Sequence, residues 1–279
     1  MTSKIEYTDE DMDWMVFTPP RESVTDYSKF SDTQARDYRG RWTTGGALAG
    51  WEKAEPTAEG RQHAYDTKHA SVLAERPNDM ELANTMAEAA AKKYDKYYET
   101  YDIYRKGDIT LEVDKRLPDA EALTKEYATY VSEISTAHPL NTQTKVVITS
   151  EDLLESGGTT NAYTAGNGII AISVPNVAKN FQVNGENWHM PAETKENAKE
   201  YVLAHEWGHA TDYSFNFVPS QKTYAAVVGS NLWDSLSEYG QSKSPEMYGE
   251  MFAQSYMESK YPGVKTSPLT PLLVTGANL

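Results

Sequence analysis

The chain has no cysteine among its 279 residues. Structural disulfides, thiolate metal sites and a cysteine nucleophile are therefore excluded, and any metal must be held by histidine and carboxylate. A basic surplus is also missing: 26 Lys and Arg stand against 41 Asp and Glu, a formal charge of −15 at pH 7. Nucleic-acid binding needs a cationic face that releases phosphate counterions, so no nucleic-acid partner is expected. The same charge argues against docking on an anionic membrane. No apolar run approaches the ~20 residues of a membrane helix. The opening Met-Thr-Ser-Lys-Ile-Glu lacks a basic segment followed by an apolar one, so no signal peptide is expected. A cytoplasmic location is expected, or a virion-associated one for a phage-encoded chain.

What is present is unevenly organised. Residues 1–80 mix acids, Pro19-Pro20, the Gly-rich stretch Thr43-Thr44-Gly45-Gly46 and isolated aromatics without periodicity, and read as an extension or linker. Residues 81–279 read as the folded domain, in four parts: helical 81–140, sheet and motif helix 141–215, helical 216–262, and tail 263–279. Ala, Glu and Lys dominate from Asp79, and a helix is expected to run to a stop near Gly107. Tyr94, Tyr97, Tyr98, Tyr101 and Tyr104 recur along it as a packing face. "GDITLEV" reads as a short strand, and a second helix is expected from Pro118 to Ser135. "TKVVITS", "TNAYTAG" and "GIIAISV" read as an antiparallel strand set, followed by a polar loop from Pro175 to about Ala192. A long helix is expected from Glu193 with Thr194 as its N-cap, and a last one begins at Ser244-Pro245. There is no internal repeat.

The long helix carries "YVLAHEWGHATDY", Tyr201–Tyr213. Residues four apart share one helix face, so His205 and His209 can point their imidazoles at one ion, each about 2.1 Å from zinc. Glu206, beside the first ligand, can reach a water that zinc has acidified to a pKa of about 7. Gly208 costs about 1 kcal/mol of helix propensity, which makes sense if another backbone or a substrate passes close.

Two ligands do not make a zinc site. A metzincin would need glycine and histidine three and six residues after His209, where this chain has Asp212 and Phe215. Asp212 lies one turn along the same helix, an awkward third corner of a tetrahedron. It reads as an acceptor for a histidine N–H, or as a plain surface or capping acid. The remaining source is a glutamate on a following helix. "SEYGQSKSPEMYGEMFAQSY" supplies Glu246 and Glu250, again four apart on one face, with Tyr239 on the loop leading in.

The combination HE-x-x-H followed by Y-G-x-x-x-x-x-E-x-x-x-E-x-F-A resembles the anthrax lethal factor type of zinc metallopeptidase, whose relatives include the Pro-Pro endopeptidases. The likeness spans roughly Lys145 to Lys260. It implies an α+β, zincin-like fold, mostly helical, with a small antiparallel or mixed sheet before the HExxH helix and a C-terminal helical subdomain. It further implies one Zn2+ held by His205, His209 and Glu246, with Glu206 as general base. Tyr239 would stabilise the oxyanion and Glu250 would orient a histidine ligand. An extended protein or peptide substrate would pair with a sheet edge in "NAYTAGNGIIAISV", with Ile169, Ile170, Ala171 and Ile172 as substrate-binding residues. The family's second helix commonly has bulky aromatics and Ala around the ligand, where this chain reads Met247-Tyr248-Gly249, and a glycine there is unexpected.

Other readings compete. Zinc could be a staple in a phage-associated structural or binding protein, since Arg36–Trp42 faintly resembles linkers of phage head-associated proteins. Against that, a staple needs neither Glu206 nor Tyr239. His63 and His69 could replace Glu246, but six apart in a weakly organised region they read as surface histidines. His138 sits at a helix end, and His189 beside Trp188 could line a cleft.

Overall fold

The computed structural model describes residues 47–153, 160–166, 168–184, 198–230, 233 and 236–260. Among them are seven helices and a six-stranded mixed sheet. The chain divides into two compact units, 54–101 forming the described part of the first and 47–53 with 102–260 that of the second. No described helix is long and apolar enough to cross a membrane. The linker at 36–42, Glu193 and Thr194 with the expected helix start, His189 and the tail lie outside the described residues.

The first unit is a helical hairpin of α1 (Ala58–Glu75) and α2 (Met80–Thr100). Thr57 caps α1, its hydroxyl accepting from the Gly60 N–H at 2.9 Å, and Asp79 caps α2. α1 falls inside the stretch expected to be a linker, and the division expected at residue 80 falls within this hairpin. The reason is that α1 buries only Gly60, Ala64 and Val72, mostly small residues that leave no apolar period to read. Tyr94 and Tyr98 are buried, as a packing face requires.

α2 ends earlier than expected. From Tyr101 the chain becomes β2 (Tyr101–Lys106), and Gly107, instead of ending a helix, turns the chain at a positive φ of 58° into β3 (Ile109–Asp114). Tyr101 and Ile103 are buried while their neighbours are half-exposed, a period of two that overrides the helical spacing of the tyrosines. α3 (Ala120–Ala137) follows, its start two residues after Pro118, with Asp119 in the left-handed region. Its buried Leu123, Tyr127, Val131 and Ile134 recur at steps of three and four and form the stripe that covers the sheet.

β4 (Thr144–Thr149) then lies parallel to β3. β5 (Ala162–Ala165) and β6 (Ile169–Ser173) form an antiparallel pair, and that reversal makes β6 parallel to β4. With β1 (Glu52–Ala54), the order is β1-β2-β3-β4-β6-β5. The set expected to be antiparallel is thus mixed. Its apolar runs Val146–Ile148 and Ile169–Ile172, fully covered, are the pattern of parallel strands buried on both faces. α4 (Val174–Asn184) occupies the start of the expected polar loop, with Pro175 in its first turn.

α5 (Ala198–Ser214), the motif helix, packs on β5, β6, α3 and α4, and on its other side against α7 (Ser244–Lys260). Between them in sequence lies α6 (Val218–Val227). From Ala198 to Asp212 only Lys199 and Thr211 escape burial on α5. Trp207, in the middle of the motif, is fully buried and donates its indole N–H to the His138 carbonyl at 2.9 Å, which ties α5 to the end of α3.

Candidate metal centre

A helix buried on every face has nowhere to carry polar residues by chance. α5 nevertheless buries Glu200, His205, Glu206, His209 and Asp212, and each such group is destabilising unless it meets a partner. For three of them the partner is α7. Across the two helices, Glu246 Oε2 lies 3.3 Å from His205 Nε2 and 3.2 Å from His209 Nε2, and the two Nε2 atoms are 3.0 Å apart. Three donors each about 2.1 Å from one ion at tetrahedral angles stand about 3.4 Å apart, a spacing close to that of this triangle, which could hold a metal ion. Among the described residues no other set of three or more histidine and carboxylate groups is close enough to share an ion. His63 and His69 lie on α1, where His69 stacks on Tyr65.

Backbone shape leaves the imidazoles their space. A Cβ on Gly249 would stand 2.9 Å from His205 Nε2 and 3.1 Å from His209 Nε2, so only glycine leaves room beside the imidazoles. Gly208 has the complementary role: its Cβ would meet Phe252 Cβ at 2.8 Å. The close-passing element that Gly208 implied is therefore α7.

Electrostatics favour a charged site. Burial alone would raise the Glu246 pKa, but hydrogen bonds and charge from His205 and His209 outweigh it and hold the carboxyl far below the ordinary range. For His209 burial opposes the charged form, yet Glu246, Glu206 and Asp212 raise its pKa. Lys243 reaches the other Glu246 oxygen, Oε1, at 3.3 Å. Tyr239 lies beside the site, its ring 6.2 Å from that of His205 and its hydroxyl bonded to Glu246. Burial, then the charge of Glu246, pushes its pKa up, so the phenol keeps its proton and remains a donor.

Glu206 shares the site from α5, and Thr164 of β5 holds it. The Thr164 hydroxyl lies 2.7 Å from Glu206 Oε2 and 2.9 Å from the Glu206 carbonyl oxygen. Thr164 had no motif to reveal it in the sequence. The only signal was its place in a strand just upstream of the motif helix.

Glu250 and Asp212, expected to orient a histidine ligand and to accept a histidine N–H, direct their hydrogen bonds to neighbouring turns. Glu250 accepts from the Ser237 N–H at 2.9 Å, from the Ser237 hydroxyl and from Gln254 at 3.0 Å, with its charge near His205. It thereby pins the turn that presents Tyr239. Asp212 is close enough to His209 to act on it electrostatically, while Oδ1 accepts from the Ser220 N–H at 2.9 Å and caps α6 from the preceding helix.

The substrate-strand residues need correction. Ile169, Ile170, Ala171 and Ile172 sit on β6, which pairs with β4 on one side and β5 on the other, and all four are buried. An interior strand has no edge to offer a peptide. Among the described strands the outermost at this end is β5, Ala162–Ala165.

Compared with known proteins, the chain matches no protein-family model, no curated protein and no solved structure.

Proposed function

We propose that this chain is a zinc-dependent endopeptidase with a zincin-like fold of the lethal factor type. The observation that carries the reading is the triangle of His205, His209 and Glu246, with Glu206 and Tyr239 close enough to it to interact through charge. A zinc ion there would supply a Lewis acid and an acidified water.

Peptide hydrolysis joins a water oxygen to the carbonyl carbon, breaks the C–N bond, and moves one proton from water to the departing amine. Glu206 is the carrier of that proton: it adjoins the site and is held by one oxygen to Thr164. Tyr239, a protonated phenol, donates toward the oxygen on which negative charge develops. β5 is the outermost strand and adjoins α5, so an extended peptide adding beside it would place its backbone along the site. The four buried residues of β6 would back that strand without touching substrate.

Bound zinc and cleavage of a peptide library, measured for the wild type and Glu206→Gln, test this reading. We expect about one zinc per chain in both, with cleavage lost at least 100-fold in the variant. Zinc bound in both, with cleavage absent or indifferent to Glu206, would make the ion a structural staple and overturn the proposal.

A further inference from the structure

We infer that Thr164 is a positioning residue for Glu206, coupling the outermost strand to the proton carrier; this rests on the peptidase reading above. The contact is long-range in sequence and short in space, joining the middle of β5 to the motif helix. A hydroxyl has one proton, and both acceptors within reach belong to Glu206: Oε2 at 2.7 Å and the backbone carbonyl at 2.9 Å. The backbone carbonyl is fixed by the helix, so the hydroxyl reads the position of the helix and sets the rotamer of the carboxylate.

With Oε2 engaged by Thr164, Oε1 is the oxygen left to exchange protons at the site. A freely rotating glutamate would spend part of its time turned away, and the reaction would lose that fraction of productive encounters. Thr164 is also paired in register with Ile170, so its backbone belongs to the rigid sheet. A peptide added beside β5 would bear on the same strand that orients the base. Strand occupancy and base orientation then become one event.

The variants Thr164→Val, which keeps the shape and removes the hydroxyl, and Thr164→Ser, which keeps the hydroxyl, separate this role from mere tethering. In the zinc-loaded full chain, with a peptide taken from the library, Thr164→Val is expected to lower kcat about 10- to 100-fold. KM and the zinc dissociation constant should each change less than about threefold, and Thr164→Ser should recover most of kcat. Unchanged kcat in Thr164→Val, an effect confined to KM, or no recovery with serine overturns the inference. A wild type that binds zinc without cleaving sinks the peptidase reading instead. The contact is then judged by urea unfolding of Thr164→Val, Glu206→Ala and the double variant. A smaller midpoint shift for Thr164→Val in the Glu206→Ala background supports the coupling, and additive shifts overturn it.

Discussion

Gly208 and Gly249 face each other across α5 and α7, the Cα of Gly249 lying 3.1 Å from where a Cβ on Gly208 would stand. Both replace a better helix former, and alanine at an exposed helix site would stabilise by about 1 kcal/mol. Here the sign reverses. Gly208→Ala pushes into Phe252 and forces the helices apart, and urea unfolding should show a loss of about 1–3 kcal/mol. Gly249→Ala puts its methyl against His205 and His209, so zinc titration should show at least tenfold weaker binding. Equal zinc affinity in Gly249→Ala would mean that the imidazoles stand elsewhere when they bind an ion.

Glu250→Gln tests the turn behind Tyr239. The carboxylate accepts from the Ser237 N–H, the Ser237 hydroxyl and Gln254, and an amide can turn only one oxygen to those donors. A destabilisation of about 1–3 kcal/mol is expected. Because Ser237 leads to Tyr239, cleavage should fall while the zinc content is retained. Loss of zinc with an intact fold would instead make Glu250 a direct support of the histidines.

The candidate cluster was legible only in part, because the choice of Glu246 over Glu250 came with the family resemblance and not from spacing. His205 and His209 share a helix face by spacing alone, and Glu246 recurs behind a Ser-Pro helix start. Gly249 looked out of place until α7 was seen lying against α5, since a close approach between helices is not written in either one. Edge and interior are equally hidden: β6 became an interior strand because β5 folds back to cover it, a pairing that depends on a turn and not on the isoleucines. Thr164 was unreadable for the related reason that its partner is set by the packing of a strand on a helix. α1 escaped because it buries small residues, and Tyr101 and Tyr104 misled because their helical spacing competes with a strand period.

Lys260 closes the bundle away from the candidate metal centre. Its ammonium pairs with Glu133 of α3 and with Glu200 of α5, which is 1% exposed, and it sits 5.4 Å from the Tyr130 ring centre. Lys260→Met removes the one charge that α7 gives to both carboxylates. Breaking a buried pair from one side costs about 3–5 kcal/mol, and that loss should appear in urea unfolding with the zinc affinity little changed. Lys260→Arg should retain more than half of the stability. A loss under about 1 kcal/mol in the methionine variant would show the pair to be solvated.

Asp114 gives the fold an acid limit. It is fully buried at the end of β3, and burial alone would raise its pKa. Arg116 and Ser150 outweigh that. The guanidinium bonds Oδ1 at 2.9 Å and Oδ2 at 2.7 Å, and the Ser150 hydroxyl meets Oδ2 at 2.5 Å. Together with the backbone N–H groups of both residues, these hold the carboxyl at about 2, below its ordinary 3.8. Because the folded pKa is depressed, the stabilisation is fully present above about pH 4 and drains away as pH falls through about 2. A gap of nearly two units corresponds to about 2–3 kcal/mol, and the half-exposed Arg116 screens it to about 1–2 kcal/mol. Asp114→Asn should therefore be less stable than wild type at pH 7, and the difference should shrink between pH 4 and 2 in urea unfolding. A difference that stays constant over that range would show that Asp114 acts through shape and not through charge.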